Sequence, residues 1–264
     1  MHPRIAVSQV CTWDWSFEED LEFWRREGIR HVGLHPRKLE LAGWDDAVAA
    51  ARTENLTVSS VGSAGYFPLD RPERWGQAQE RVQRCVDTAA ALDAACVVIV
   101  SGGAGRLTWE GAADALGRAL APFSEGGVPL ALENTASLRT DYGFVHSLRD
   151  VNDLARALGI GICMEVHSCW AERDLAATVA GAIDGIRLVQ VSDFVNGSST
   201  SPDRAVVGEG DIPFDRVLGY VVEAGYEGPF EIEMIGPRID AAGYEAAVMR
   251  SIEHLSGVLE RLGA

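Results

Sequence analysis

Val128–Thr135, VPLALENT, is the stretch whose reading decides the fold. It is a short apolar run with strand character that delivers a carboxylate, Glu133, at its tip. Three later runs repeat the device. GICMEVHS (161–168) reaches Glu165, IRLVQVSD (186–193) carries Gln190, and GPFEIEMI (228–235) carries Glu233. An acid or amide at the exit of a buried strand is costly unless something compensates it. A divalent cation compensates several such groups at once.

Working outward, the same rhythm fills the chain. Upstream, strands are predicted over Ile5–Val10, His31–Pro36, Thr57–Ser63 and Cys96–Ser101. Helices are predicted over Ser16–Gly28, where Phe17, Leu21 and Trp24 recur at helical spacing, and over Trp44–Thr53 and Arg74–Leu92. Helix Thr108–Glu125 leads into VPLALENT. Helices Phe144–Leu158, Glu172–Ile183, Pro213–Ala224 and Ala241–Leu262 separate and follow the later strands. The longest irregular stretch, Phe194–Asp211, is rich in Ser, Gly and Asp. Near-continuous apolar strands alternating with helices imply a parallel sheet covered on its outer face. Eight such units in 264 residues imply an α/β fold closed into a (β/α)8 TIM barrel, a single domain over residues 1–264. A doubly wound open sheet is disfavoured because no GxGxxG follows a strand; Gly102-Gly103-Ala104-Gly105 comes nearest and lacks the spacing.

Composition narrows the function classes. Apolar content of 47% suits a packed globular protein. The 23 basic and 39 acidic residues give a net charge of −16, which repels phosphate backbones and anionic lipid, so nucleic-acid and membrane partners are not expected. Five cysteines, at 11, 85, 96, 163 and 169, lack a CxxC pair and read as reduced core thiols. The N-terminus MHPRIAVSQV has no signal-peptide core, and no apolar run approaches spanning length, so a soluble cytoplasmic protein is expected.

In such a barrel, chemistry sits at the C-terminal strand ends. Glu133, Glu165, Gln190 and Glu233 fall there on strands five to eight, and neighbouring strands are about 4.8 Å apart. Three carboxylates and an amide oxygen would make a hard site for one divalent metal, Mn or Mg first and Co next, whereas zinc prefers nitrogen and sulfur. Glu231 shares the parity of Glu233 two residues deeper, and the sequence leaves its direction open. His35, at the end of strand two, is a candidate substrate contact. Trp13, Trp15, Tyr66, Phe67 and Trp170 could wall a pocket for a small-molecule substrate. Asn134 and Asp193 are candidate supports for the site or its loop, and Gly208 and Gly210 would shape the loop carrying Glu209. His146 and His254 fall on predicted helices, away from the chemistry.

LALENT, ICMEVHSCW, LVQVSDF, RAVVGEGDIPF and GYEGPFEIEMIGP, with the barrel rhythm, resemble the xylose isomerase-like TIM-barrel superfamily of sugar (phosphate) isomerases and epimerases. The resemblance implies one divalent metal held at Glu133, Glu165, Gln190 and Glu233, with Glu133 and Glu233 also acting as the acid/base pair. It implies that Arg204 holds substrate oxygens. Glu165 stands where Asp is usual, and Gln190 where His is usual. Ser168 stands where a substrate-contacting His is usual, with His167 one residue earlier. The implied activity is isomerisation or epimerisation of a sugar, polyol-ketone or related hydroxycarbonyl compound through an enediolate. A metal-dependent lyase or dehydratase on the same scaffold and an inactive barrel serving as a binding subunit stay open. Members often pair, so a homodimer is open too. The abasic-site endonuclease branch is disfavoured, because neither a histidine-rich zinc site nor a basic face is present.

Overall fold

The structure, a computed structural model that describes residues 1–123 and 127–264, is a closed barrel of eight parallel strands in sequence order. The strands are β1 (Ile5–Ser8), β2 (His31–Leu34), β3 (Thr57–Gly65), β4 (Cys96–Val100), β5 (Leu130–Glu133), β6 (Gly161–Glu165), β7 (Ile186–Val191) and β8 (Phe230–Ile232). β1 pairs with both β2 and β8, which closes the ring. Strands β1, β4, β5, β6 and β8 are buried at every residue, as expected when side chains fill the lumen and helices cover the outside.

The helices in order are α1 (Phe17–Glu27), α2 (Pro36–Ala42), α3 (Trp44–Thr53), α4 (Gly76–Leu92), α5 (Trp109–Leu120), α6 (Leu148–Leu158), α7 (Val166–Cys169), α8 (Leu175–Ala182), α9 (Phe214–Glu223), α10 (Pro237–Ala242) and α11 (Tyr244–Leu262). Their limits follow local chemistry. At the start of α1, Ser16 and Glu19 each satisfy the other's backbone N–H, a reciprocal cap that fixes where the helix begins. The single helix expected over Ala241–Leu262 is two, because Gly243 takes φ 78° and turns the chain between α10 and α11. The helix expected over Phe144–Leu158 begins at Leu148, where Ser147 caps it, so His146 lies in a loop rather than on a helix. The Glu172–Ile183 helix shortens to α8, and α7 adds a turn at the tip of β6. The helix expected from Thr108 ends in a 3-10 turn at Ala121–Phe123, and its expected end at Glu125 lies outside the described residues.

All five cysteines are free and buried. No described helix is long and apolar enough to cross a membrane.

Candidate active site

Strand parity carries three carboxyl groups to one rim of the barrel. Glu133 ends β5 and is buried, Glu165 ends β6 and is fully buried, and Glu233 follows β8, its N–H bonded to Val191 O at 3.0 Å. Asn134 ties two of these exits together. Its amide donates to Glu165 O and accepts from Glu165 N, both at 2.9 Å, so the β5 turn fixes the backbone from which Glu165 projects. One Glu165 oxygen accepts from the His167 N–H at 2.9 Å, and the other meets Arg204 Nη2 at 3.4 Å.

The electrostatics follow from burial. Lost hydration pushes all three carboxyls up, most of all Glu233. Their mutual repulsion adds to the rise at Glu133 and Glu233, and Arg204 opposes it at all three. Three carboxyls thus share one guanidinium. The other terminal nitrogen of that guanidinium, Arg204 Nη1, is buried without a partner.

Gln190 does not join them. Its Nε2 donates to Glu231 at 3.3 Å and its Oε1 accepts from Cys163 Sγ at 3.1 Å. Glu231 points into the lumen, accepting also from Ser59 Oγ at 2.5 Å and Ser60 Oγ at 2.8 Å. The register explains the engagement: Gln190 pairs across the ladder with Glu231, two residues deeper than Glu233. A Cβ at Gly33 would fall on the Glu231 carboxylate, so this deep polar knot is tightly seated. Among the described residues, no three His, Cys, Asp or Glu groups are gathered so as to hold a metal ion.

Above the carboxyls lies a cavity of about 490 Å³ lined by Glu133, Glu233, Arg204, His35, Trp13 and Tyr66, with Ser63, Arg139 and Tyr142 also on its wall. His35 Nδ1 accepts from the Arg37 N–H at 3.2 Å, so the proton of the neutral ring sits on Nε2. Burial, and then Arg37 and Lys38, push its pKa down to about 3. Trp13 packs edge-on against His35 and lies under the Arg37 guanidinium, 4.7 Å from its ring. Tyr66 sits in the left-handed region at φ 57°, a strained place for a bulky residue, and its hydroxyl meets that of Tyr142 at 2.5 Å.

His167, Ser168 and Trp170 do not line this cavity. His167 and Trp170 pack against Phe194, and the His167 nitrogens and Ser168 hydroxyl are buried without partners. Trp15 instead packs against Phe23 and Tyr244. Arg139 and Tyr142 were not singled out from the sequence. They lie in the irregular segment after β5, where no periodicity marks a residue as facing inward.

Asp193 holds the long loop. Its two carboxylate oxygens accept from the backbone N–H groups of Phe194, Gly208, Gly210 and Ile212 at 2.8–3.1 Å, gathering both ends of the loop on one side chain. Gly208, at φ 91°, makes the turn that aims its N–H there. The two glycines therefore serve Asp193; Glu209 between them forms an exposed pair with Arg250. An antiparallel bridge of Asp193 with Ala205, and Arg204 N on Ile235 O at 3.1 Å, set Arg204 over the carboxyls.

Fold and rim together define a class of barrel in which acidic residues gather at the carboxyl ends of the last strands. The chain belongs to the xylose isomerase-like TIM barrel family, whose model matches residues 20–255. Its structure is similar to that of protein SMc04130 from Sinorhizobium meliloti 1021, with 22% identity, TM-score 0.87, and 97% of this chain and 98% of that one covered. It is similar to IolI, described with a bound zinc atom, at 16% identity and TM-score 0.81, covering 98% and 99%. It is also similar to the apo form of the 3-keto-D-glucoside 4-epimerase YcjR from E. coli, at 16% identity and TM-score 0.73, covering 95% and 99%. None of the curated proteins matches the chain at a significant level.

Proposed function

We propose that the chain is a carbohydrate isomerase or epimerase that moves a proton at the carbon beside a carbonyl, with Glu133 and Glu233 as the proton-handling pair. The observation that carries this reading is that two carboxyls from β5 and β8 open on one cavity while burial and repulsion push both above the ordinary carboxylate range. That is the direction in which a carboxyl becomes an effective base or acid near neutrality. In the forward step one carboxylate takes the alpha proton. The other carboxylic acid returns a proton to the opposite face of the same carbon in epimerisation, or to the neighbouring carbon in isomerisation. In isomerisation the hydroxyl proton also passes between the two enediolate oxygens, so that the old carbonyl becomes the hydroxyl. Arg204 faces the oxygen on which negative charge grows, and His35, protonated on Nε2, donates to a substrate hydroxyl.

A divalent cation is what the family implies, and three carboxylates against one guanidinium leave the rim short of positive charge. Glu133, Glu165 and Glu233 are hard oxygen donors of the kind Mn or Mg takes rather than zinc, and since they are not gathered around one point they would draw together to hold the ion. Gln190 would join only by leaving Glu231 and Cys163. When bound, such an ion supplies Lewis-acid polarisation of a carbonyl. About one equivalent of Mn or Mg in reloaded wild-type protein, lost in Glu165→Gln, is expected by mass spectrometry. Equal metal content in the two would remove Glu165 from the set.

The activity test is deuterium uptake from D2O at the alpha carbon of a panel of ketoses and keto-glycosides, followed by NMR. Exchange is expected in wild type and should fall at least about 100-fold in Glu133→Gln and in Glu233→Gln, the usual size of a lost general acid or base. Wild-type exchange in either variant would overturn the assignment. Appearance of an ultraviolet-absorbing conjugated carbonyl instead of exchange would mark a dehydratase.

A further inference from the structure

A second cavity, of about 720 Å³, opens beside the first, at the exits of β3, β4 and β5. We propose that it is an outer subsite for the second ring of an unphosphorylated two-ring carbohydrate whose reacting ring occupies the inner cavity. The proposal rests on the reading of the inner site as carbohydrate-active, and it names the substrate class.

Continuity is the first support. Tyr66 lines both cavities, and its hydroxyl meets that of Tyr142, an inner-cavity residue, at 2.5 Å. One loop runs along both, with Thr140 and Asp141 facing the outer space and Arg139 and Tyr142 the inner one. A ligand filling the inner cavity therefore has its next group delivered over the Tyr66–Tyr142 sill.

The lining matches a sugar ring. Trp109, at the first residue of α5, is 41% exposed and meets Phe144 edge-on at 6.0 Å, and these two stand in the cavity lining with Tyr66 and Phe67, four aromatic side chains in all. Aromatic side chains with a wet edge suit a ligand that is apolar on its faces and polar at its rim. Between them stand hydrogen-bonding groups. His146 Nδ1 lies 3.1 Å from Thr135 O and so carries the proton, which leaves Nε2 as an acceptor for a hydroxyl. Asp141 offers further acceptor capacity.

Charge excludes a phosphorylated ring. Among the described residues no Lys or Arg lines the outer cavity, so a phosphate there would meet no counter-charge. In the inner cavity Arg139 makes a two-pronged pair with Asp141 at 2.9 and 3.0 Å, while Arg204 keeps Nη2 on Glu165 and Nη1 for an oxygen of the reacting ring.

The test is calorimetric titration of the metal-reloaded protein. The one-ring probes are glucose, galactose and fructose. The two-ring probes are cellobiose, maltose, lactose and sucrose, with glucose 6-phosphate and p-nitrophenyl glucoside as controls. At least one disaccharide should bind at least tenfold more tightly than its component sugars. That advantage should vanish in Trp109→Ala, whose one-ring affinities and melting temperature stay as in wild type, and the phosphate should add nothing. One-ring binding with no gain for any disaccharide, or a gain that survives Trp109→Ala, would overturn the subsite and leave the inner-site reading standing. A gain for the aryl glucoside alone would overturn it in favour of an apolar aglycone. Binding of no sugar of either size would overturn both readings together.

Discussion

Two clusters of buried charge sit in this barrel, and they are built in opposite ways. Asp20 and Lys38, 0% and 1% exposed, form one acid against one base at 3.0 Å. Thr12 and Gln9 also donate to Asp20, and Lys38 donates to Thr12 O at 2.6 Å. Burial pushes Asp20 up to about 6, and every one of those partners pulls it back. At the rim, Glu133, Glu165 and Glu233 share Arg204, and the unpartnered atoms include Arg204 Nη1 and both His167 nitrogens. The first cluster is electrically balanced and satisfied, and it props two separate turns: Lys38 holds Thr12 O beside Trp13, and Gln9 accepts from the His35 N–H. The second is unbalanced and incompletely satisfied. Buried charge by itself marks neither stability nor function; buried charge without a matching partner marks a place prepared for something else.

The largest effect should come from breaking the balanced cluster. Lys38→Met leaves Asp20 buried without its counter-charge and should cost about 3–5 kcal/mol, a fall in Tm on the order of 10 °C. A loss below about 1 kcal/mol would erase the contrast. Asp193→Ala removes the acceptor of four backbone N–H groups and should cost about 2–3 kcal/mol. Because Arg204 stands on that loop, kcat/KM should fall with stability; an unchanged kcat/KM would show that the Asp193–Ala205 backbone bridge and Ile235 hold Arg204 without the carboxylate.

The unbalanced cluster should respond with the opposite sign. In chelated protein near pH 7, Glu133→Gln should raise stability, since burial and repulsion push the Glu133 carboxyl up to about 8 and the folded state must hold it protonated or strained, and Tm should rise while exchange disappears. A destabilised Glu133→Gln would mean the rim is satisfied after all. The smallest effect is the pH dependence of His35. Its folded pKa lies far below the unfolded value of about 6.5, so only the unfolded chain gains its proton. The stability this contributes is complete above pH 6.5 and lost as pH falls towards 3. His35→Gln should therefore flatten the decline in stability between pH 6.5 and 5 by about 1 kcal/mol; an unchanged slope would mean the ring is protonated in the folded state.

The barrel was legible because apolar runs and helical periods are local signals, and those around VPLALENT and CVVIV stand as strands in the structure. Glu133, Glu165 and Glu233 were legible as strand-tip acids for the same reason. Gln190 shows where that reasoning stops. Its place at a strand tip is local information, but the engagement of its amide by Glu231 and Cys163 depends on register across two neighbouring strands. The sequence puts His146 on a helix running from Phe144, whereas the Ser147 cap leaves Phe144, Val145 and His146 outside it. Arg139 and Tyr142 gave no signal, since an irregular loop has no period to say which side chains face inward.

Asp193 also bears on how such a barrel can change. Both ends of the long loop are fastened at one carboxylate, and Arg204 is fixed separately by Ala205 and Ile235. The tip between them, which brings Ser201 and Pro202 to the cavity wall, carries none of that fastening. The loop is thus an exchangeable cassette: its tip can be lengthened, shortened or grafted to redraw what the cavity accepts, while the chemistry beneath keeps its footing.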